Sequence, residues 1–182
     1  MTRTLLAPVV LLTLLAGCSG DESERGAAPQ VGTAVGDLAP ALEGTIAGGE
    51  RFALADMQGS RALLVFYRGG YCGLCRERLR RLQDHRAAYE ELQVQLVALT
   101  ADSLAAILET RELTGSEFPI VSVDSATLSR WELYDPEHRA PRSATLIVDG
   151  DGVIRFRQVG RNPADQVSDP ALIATFEQLR DK

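Results

Sequence analysis

Leu63-Leu64-Val65-Phe66-Tyr67-Arg68-Gly69-Gly70-Tyr71-Cys72-Gly73-Leu74-Cys75, running straight on into Arg76-Glu77-Arg78-Leu79-Arg80-Arg81-Leu82, is the stretch that decides how this chain is read. A partly aromatic and β-branched apolar run stops at a glycine pair, and beyond Cys72 the apolar residues recur at 75, 79, 82, 89 and 92. The first pattern predicts a buried strand, and the second a helix with one apolar stripe. The glycines form the turn between them, so the helix opens on Cys72 and is expected to reach about residue 92.

Two cysteines three residues apart at a helix start lie one turn apart on the same side, which brings their sulfurs within bonding reach. Only a thiolate is a good nucleophile, and a helix N-terminus favours one through its unpaired N–H groups and about half a positive charge. Cys72, at the tip, is therefore the expected reactive sulfur. Cys75 starts the apolar stripe through Leu79 and Leu82, so it should face the core and wait to resolve whatever Cys72 forms. A zinc site would need about four ligands, and the chain has no second Cys-x-x-Cys and only two histidines. A purely structural bridge closing so small a ring would gain little loop entropy. Redox chemistry is the reading that remains.

With 182 residues, 45% of them hydrophobic and 24% charged, the chain is long enough for one domain with a real core. A net charge of −6 argues against nucleic acid and against an anionic membrane surface as partners. The third cysteine belongs elsewhere. Residues 1–4 carry one positive charge and residues 5–15 are an apolar run too short to span a bilayer, as in a secretory signal. That run ends in Leu15-Ala16-Gly17-Cys18, which resembles the lipobox of bacterial lipoproteins. The resemblance implies removal of residues 1–17 and acylation of Cys18. Losing Arg3 alone among charged residues would move the net charge from −6 to −7. The expectation is a lipid-anchored protein on a bacterial membrane, facing the periplasm or the cell exterior, where disulfides are permitted. Residues 18–34, small, polar and without apolar period, read as a flexible tether.

From residue 35 the pattern becomes organised, and 35–182 is read as one domain. A short hairpin is expected around 42–46 and 51–54, turning at Gly48-Gly49, then strands at 62–67, 94–99 and 118–123. Asp102 or Ser103 caps a helix closed by Gly115, and Asp124 caps a shorter one holding Leu128 and Trp131. Asp149-Gly150-Asp151-Gly152 separates two further strands, and a last helix is expected with Asp169 as N-cap and Pro170 at its first position. This order predicts an α/β fold with a central mixed, mostly parallel sheet, helices on both faces, an antiparallel hairpin at one edge and an N-terminal hairpin extension. In such sheets the site lies beyond the carboxyl ends of the strands, where Cys72 falls.

Several of these segments carry a family resemblance. Gly36-Asp37-Leu38-Ala39-Pro40, the strand and turn ending in Cys72-Gly73-Leu74-Cys75, Leu99-Thr100-Ala101-Asp102-Ser103 and Leu146-Ile147-Val148-Asp149-Gly150-Asp151-Gly152 resemble, in that order, the alkyl hydroperoxide reductase C and thiol-specific antioxidant family, which is peroxiredoxin-like and has a thioredoxin-like fold. The resemblance implies reduction of a peroxide by Cys72 as the peroxidatic cysteine, resolution by Cys75, and resetting by a thioredoxin-like reductant protein, without a cofactor or metal. It also marks departures. Gly69 stands where peroxiredoxins carry an orienting threonine. Their activating arginine counts to Ser143, with Arg142 one position off, so Arg142 is the third expected catalytic residue. Thioredoxins place a proline at that same position, and here Pro141 lies two residues earlier.

Two alternatives share the same sulfurs. One is an extracytoplasmic thiol-disulfide oxidoreductase. The other is a copper-binding chaperone using Cys72, Cys75 and His138, as in copper-delivery lipoproteins of the same fold, although those space their cysteines by three residues. Arg68, Arg76 and Arg78 surround Cys72 in sequence and could favour its thiolate or polarise a peroxide oxygen, while the run from 76 to 81 also reads as a solvated helix face. His85 is expected to pack or face solvent, and Trp131 and Tyr134 to be core and rim.

Overall fold

The apolar run before the cysteines forms β3 (Arg61–Phe66), an interior strand of a seven-stranded sheet in a computed structural model that describes residues 29–179. The expectations for residues 1–28, among them the signal segment and Cys18, lie outside the described residues. Around β3 the other strands are β1 (Glu43–Ile46), β2 (Arg51–Ala53), β4 (Val94–Thr100), β5 (Ile120–Ser122), β8 (Ala144–Val148) and β9 (Ile154–Val159), in the order β2-β1-β5-β4-β3-β8-β9. Only β5-β4-β3 run parallel. The β8-β9 hairpin adds antiparallel at one side, and the β1-β2 hairpin adds antiparallel to β5 at the other. The sheet is therefore mixed, with a hairpin at both edges rather than one, because the N-terminal hairpin caps β5 and leaves it no free side.

Between β3 and β4 the helical stretch is α1 (Gly73–Asp84) followed by α2 (Arg86–Glu91), not one helix to residue 92. The break falls at His85, whose backbone leaves helical geometry (φ −97°, ψ 6°) while its ring Nδ1 lies 2.9 Å from the Arg81 carbonyl. α3 (Leu104–Thr114) is capped as expected, since Ser103 Oγ accepts from the Ala106 N–H and Gly115 turns left-handed at φ 67°. α4 (Ser125–Arg130) is capped by Asp124 Oδ1, which accepts from the Thr127 N–H at 2.7 Å. A two-residue pair, β6 (Tyr134–Asp135) with β7 (Ala140–Pro141), fills what the sequence left as loop. α5 (Asp169–Leu179) begins on Asp169, one residue earlier than an N-cap role for Asp169 implies.

The crossovers β3-α1-β4 and β4-α3-β5 step across the sheet in one direction, and with a common hand this places α1, α2 and α3 on one face; α5 joins them. Their contributions, Leu79, Leu82, Tyr89, Ile107, Leu172 and Phe176, pack with Leu63, Val65 and Tyr67 of the β3 stretch. The path to β8 steps back, so α4 covers the opposite face, where Trp131 is fully buried against Phe66 at a ring separation of 5.7 Å. β3 is thus buried on both faces, which is why it reads as a continuous apolar run.

The domain begins before residue 35. Gly32 N–H donates to the Leu38 carbonyl, Leu38 N–H to Gln30, and Gly36 N–H to Ile154 of β9. Residues 30–34 are therefore tied by backbone bonds to Asp37 and Leu38, and the 36–37 segment bonds in turn to Ile154 of β9. Among the described residues no helix is long and apolar enough to cross a membrane.

Candidate active site

Because β3, β4 and β5 are parallel, their carboxyl ends share one side of the sheet, and the loops leaving them converge there. The loop leaving β3 is built for glycine. Gly69 sits at φ 150°, and a Cβ on it would lie 2.7 Å from the Tyr71 ring and 2.8 Å from Asp102 Oδ1. A Cβ on Gly70 would come 2.1 Å from Thr110 Oγ1, so α3 can approach only because that side chain is missing. Asp102, in the loop after β4, accepts the Gly70 N–H at 2.8 Å, and Arg76 Nη1 donates to the Gly70 carbonyl. The turn is held from both sides. The threonine that peroxiredoxins carry has no room at Gly69.

This turn delivers Cys72 to the N-cap of α1. Its backbone is extended (φ −84°, ψ 111°), and its Sγ accepts the Cys75 N–H at 3.3 Å. That is the bond a capping side chain makes, with sulfur in place of the usual oxygen, and it stabilises negative charge on the sulfur. Cys72 is half-buried, flanked by the exposed side chains of Tyr71 and Leu74. Cys75 is 1% exposed, as its place at the head of the apolar stripe predicts. Burial pushes its thiol up to about 12, helped by the hydrogen bond it shares with Cys72, while the backbone N–H groups of Arg68 and Gly69 pull the other way. Both thiols are free. The pair is therefore asymmetric: an accessible sulfur held as acceptor, and a sequestered one held as donor.

The arginines sort differently from expectation. Arg78, read either as a neighbour of the Cys72 thiolate or as part of a solvated face, is 2% exposed and donates Nη1 to Asp169 Oδ2 at 2.7 Å, while Tyr89 donates its hydroxyl to Oδ1 of the same carboxylate at 2.9 Å. Asp169 is buried in this role, and burial with that carboxylate pushes the Tyr89 hydroxyl upward. Arg76 serves the turn, and Arg68 is half-buried with its backbone toward Cys75. Arg142 is exposed and does not line the cavity behind Cys75; its neighbour Ser143 does, 9% exposed. The strand register shows its one irregularity at Ile147/Val148, beyond β8's start, so no bulge turns Arg142 inward. Helical spacing held a signal for Arg78, which lies three residues after Cys75 and four before Leu82 on one stripe.

His138 is also placed elsewhere. Its Nδ1 lies 2.7 Å from Asp135 Oδ2, and among the described residues the one group of three possible metal ligands within 4.8 Å is Asp135, Glu137 and His138, with no cysteine in it. An open cavity of about 460 Å³ lined by Phe52, Met57, Arg86 and Phe118 borders the start of β4, at the end of the sheet away from the sulfurs.

A nucleophilic thiol on a helix cap with a buried partner one turn below, at the carboxyl ends of parallel strands, defines a thiol-redox enzyme of thioredoxin-like fold. Residues 35–157 match the AhpC/TSA family, and the chain belongs to it. It is 26% identical over 130 residues to a Mycobacterium tuberculosis protein named as a candidate peroxiredoxin, covering 68% of this chain and 83% of that one. It is 25% identical over 165 residues to the thiol-disulfide oxidoreductase ResA of Bacillus cereus, covering 90% and 92%. Among solved structures it resembles the reduced 2-Cys peroxiredoxin of Plasmodium vivax (TM-score 0.73, 17% identity, 81% of this chain and 96% of that one). Mycobacterium tuberculosis AhpC is similar to the same degree (TM-score 0.73, 15% identity, 82% and 94%).

Proposed function

We propose that the protein reduces peroxides. The observation that carries the reading is the Cys72 sulfur at the helix cap, accepting the Cys75 N–H at 3.3 Å, with the buried Cys75 thiol directly behind it. The Cys72 thiolate attacks one oxygen of the peroxide, the O–O bond breaks, and the other oxygen leaves as an alcohol or as water after taking a proton. Cys75 then attacks the sulfur of the resulting sulfenic acid and displaces its hydroxyl, giving a disulfide and water, and a thioredoxin-like protein returns both sulfurs to thiols. Membership of the AhpC/TSA family and similarity to peroxiredoxins support this substrate and this reductant. The protein is further proposed to be held at a bacterial membrane by lipid on Cys18, on the strength of the Leu-Ala-Gly-Cys sequence, with the domain on the periplasmic or outer side.

A second reading is favoured by two particular observations. The ResA relative matches nearly the whole chain, and Tyr71 and Leu74 form an exposed apolar collar, 67% and 53% accessible, beside the reactive sulfur. Exchange with a protein disulfide would use both. Reduced protein is exposed to one equivalent of hydrogen peroxide, or of a disulfide-bonded protein, and the rate of Cys72 oxidation is compared. Faster oxidation by peroxide supports the first reading; oxidation by the protein disulfide alone transfers the assignment to the second.

A further inference from the structure

Behind Cys75 the fold buries polar atoms it does not pair. Arg78 Nε and Nη2, Ser143 Oγ and the Tyr67 hydroxyl have no hydrogen-bond partner among the described residues. Arg78 and Ser143 line one cavity with Cys75, Thr145 and Gln158, and its volume is about 10 Å³, room for a single water. Leaving a buried polar group unpaired is costly, so four such atoms on residues around one small space mark a site that is filled or used. The guanidinium is also committed on one side. Its Nη1 is spent on Asp169, whose other oxygen takes the Tyr89 hydroxyl, and Nε and Nη2 remain unpaired in a residue that lines the same cavity as Cys75. The ion pair is neutral as a whole, so the cavity does not attract a free anion; it presents the positive end of a buried dipole to whatever charge forms beside it.

We propose that Arg78 is a positioning residue for the resolving step: through one water held by Arg78 and Ser143, its guanidinium stabilises the negative charge that develops on Cys75 Sγ as that sulfur attacks oxidised Cys72. In this step the Sγ–Sγ bond forms, the S–O bond of the sulfenic acid breaks, and the Cys75 thiol proton leaves with the hydroxide as water. When Cys72 is instead joined to another thiol, the same attack expels that thiol, which takes the proton. The sulfenic form rests on the peroxide reading above; the mixed-disulfide form does not. The need for such help is plain from burial, which holds Cys75 protonated at neutral pH. Other groups facing the pair are Cys72 and Arg81 on α1, Tyr67 from β3, Tyr89 on α2, Asp169 on α5 and Asp165 in the loop before α5. Of these, Arg81 lies at the ion pair, and the cationic donors that line the cavity belong to Arg78.

The test separates capture from resolution with an aromatic disulfide that releases a coloured thiolate. Cys72 releases one equivalent in a first phase, and Cys75 releases a second by displacing the mixed disulfide. Arg78→Lys keeps a cation for Asp169 but withdraws Nε and Nη2 from the cavity. The expected result is a first phase within about twofold of wild type, a second phase slowed about tenfold at neutral pH, and a second-phase pH profile moved upward by about one unit, the shift that a tenfold loss of thiolate implies. Ser143→Ala, which takes one anchor from the water, should slow the second phase about threefold, as expected for one hydrogen bond of about 0.5–1.5 kcal/mol. A second phase unchanged in rate and pH profile in either folded variant overturns the proposal and leaves the Arg78–Asp169 pair a structural tie. Should Arg78→Lys not fold, Arg78→Met/Asp169→Asn removes both charges together, and Ser143→Ala decides alone if that also fails. A protein that peroxide does not oxidise, but whose second phase still depends on Arg78, removes the peroxide reading and keeps this one.

Discussion

Replacing Gly69 by the residue its relatives would suggest should harm the protein rather than improve it. A Cβ at this position meets Tyr71 Cε1 at 2.7 Å and Asp102 Oδ1 at 2.8 Å, whereas carbon contacts settle near about 3.5–4.0 Å. Tyr71 is 67% exposed and can swing aside. Asp102 cannot yield without giving up the Gly70 N–H it accepts at 2.8 Å, a charged hydrogen bond worth about 1.5–3 kcal/mol. Backbone strain for a residue with a side chain at φ 150° adds about 1 kcal/mol. The sum, about 3 kcal/mol, corresponds to a fall of about 6–12 °C in melting temperature for a domain of this size. Gly69→Ala isolates the effect of the Cβ, and Gly69→Thr adds the branched side chain. Thermal unfolding of both, with the rate of Cys72 oxidation by peroxide beside it, is the assay. Both should melt lower and both should react more slowly, because the same turn sets the capping geometry of Cys72. A threonine variant that melts with wild type and reacts faster with peroxide would refute the reasoning.

Three other outcomes follow from the same contacts. Arg78→Met, which strands the Asp169 carboxylate, should cost about 3–5 kcal/mol in urea unfolding, and Arg78→Met/Asp169→Asn should recover much of it. Asp102→Ala should lose about 1.5–3 kcal/mol and slow Cys72 oxidation, since Gly70 loses its acceptor; alkylation kinetics of Cys72 report the second effect. A thiol raised to about 12 binds its proton more tightly folded than unfolded, so the stability it lends is complete below about pH 8.5 and is lost as pH rises toward 12. Cys75→Ala should therefore lose less stability than wild type between about pH 8.5 and 10.5, by about 1.4 kcal/mol for each unit, read from urea midpoints.

The centre of the fold was legible because independent local signals agree there: an apolar run, a glycine pair and a change of period all place Cys72 at a helix start. Asp124, Ser103 and Gly115 announced their helix ends in the same way, since a cap is a property of a few neighbouring residues. What stayed hidden depends on partners remote in sequence or on backbone alone. Arg78 is buried because a carboxylate 91 residues further on meets it, and a cluster of arginines in sequence says nothing of that. The break at His85 carries no glycine or proline to mark it. Residues 30–34 are held to Asp37 and Leu38 through N–H and C=O groups, which leave no trace in side-chain composition. The family count fell on Ser143, which is the residue that faces inward; choosing Arg142 for its charge missed because one residue of register decides which side chain points to the cavity.

The difference between the two sulfurs is measured most directly by limiting alkylation. The reduced protein is treated at neutral pH with less than one equivalent of iodoacetamide, and the label is located by peptide mass. The account predicts label on Cys72 alone, with Cys75 modified only after unfolding. Equal labelling of the two in the folded protein, or preference for Cys75, would contradict it.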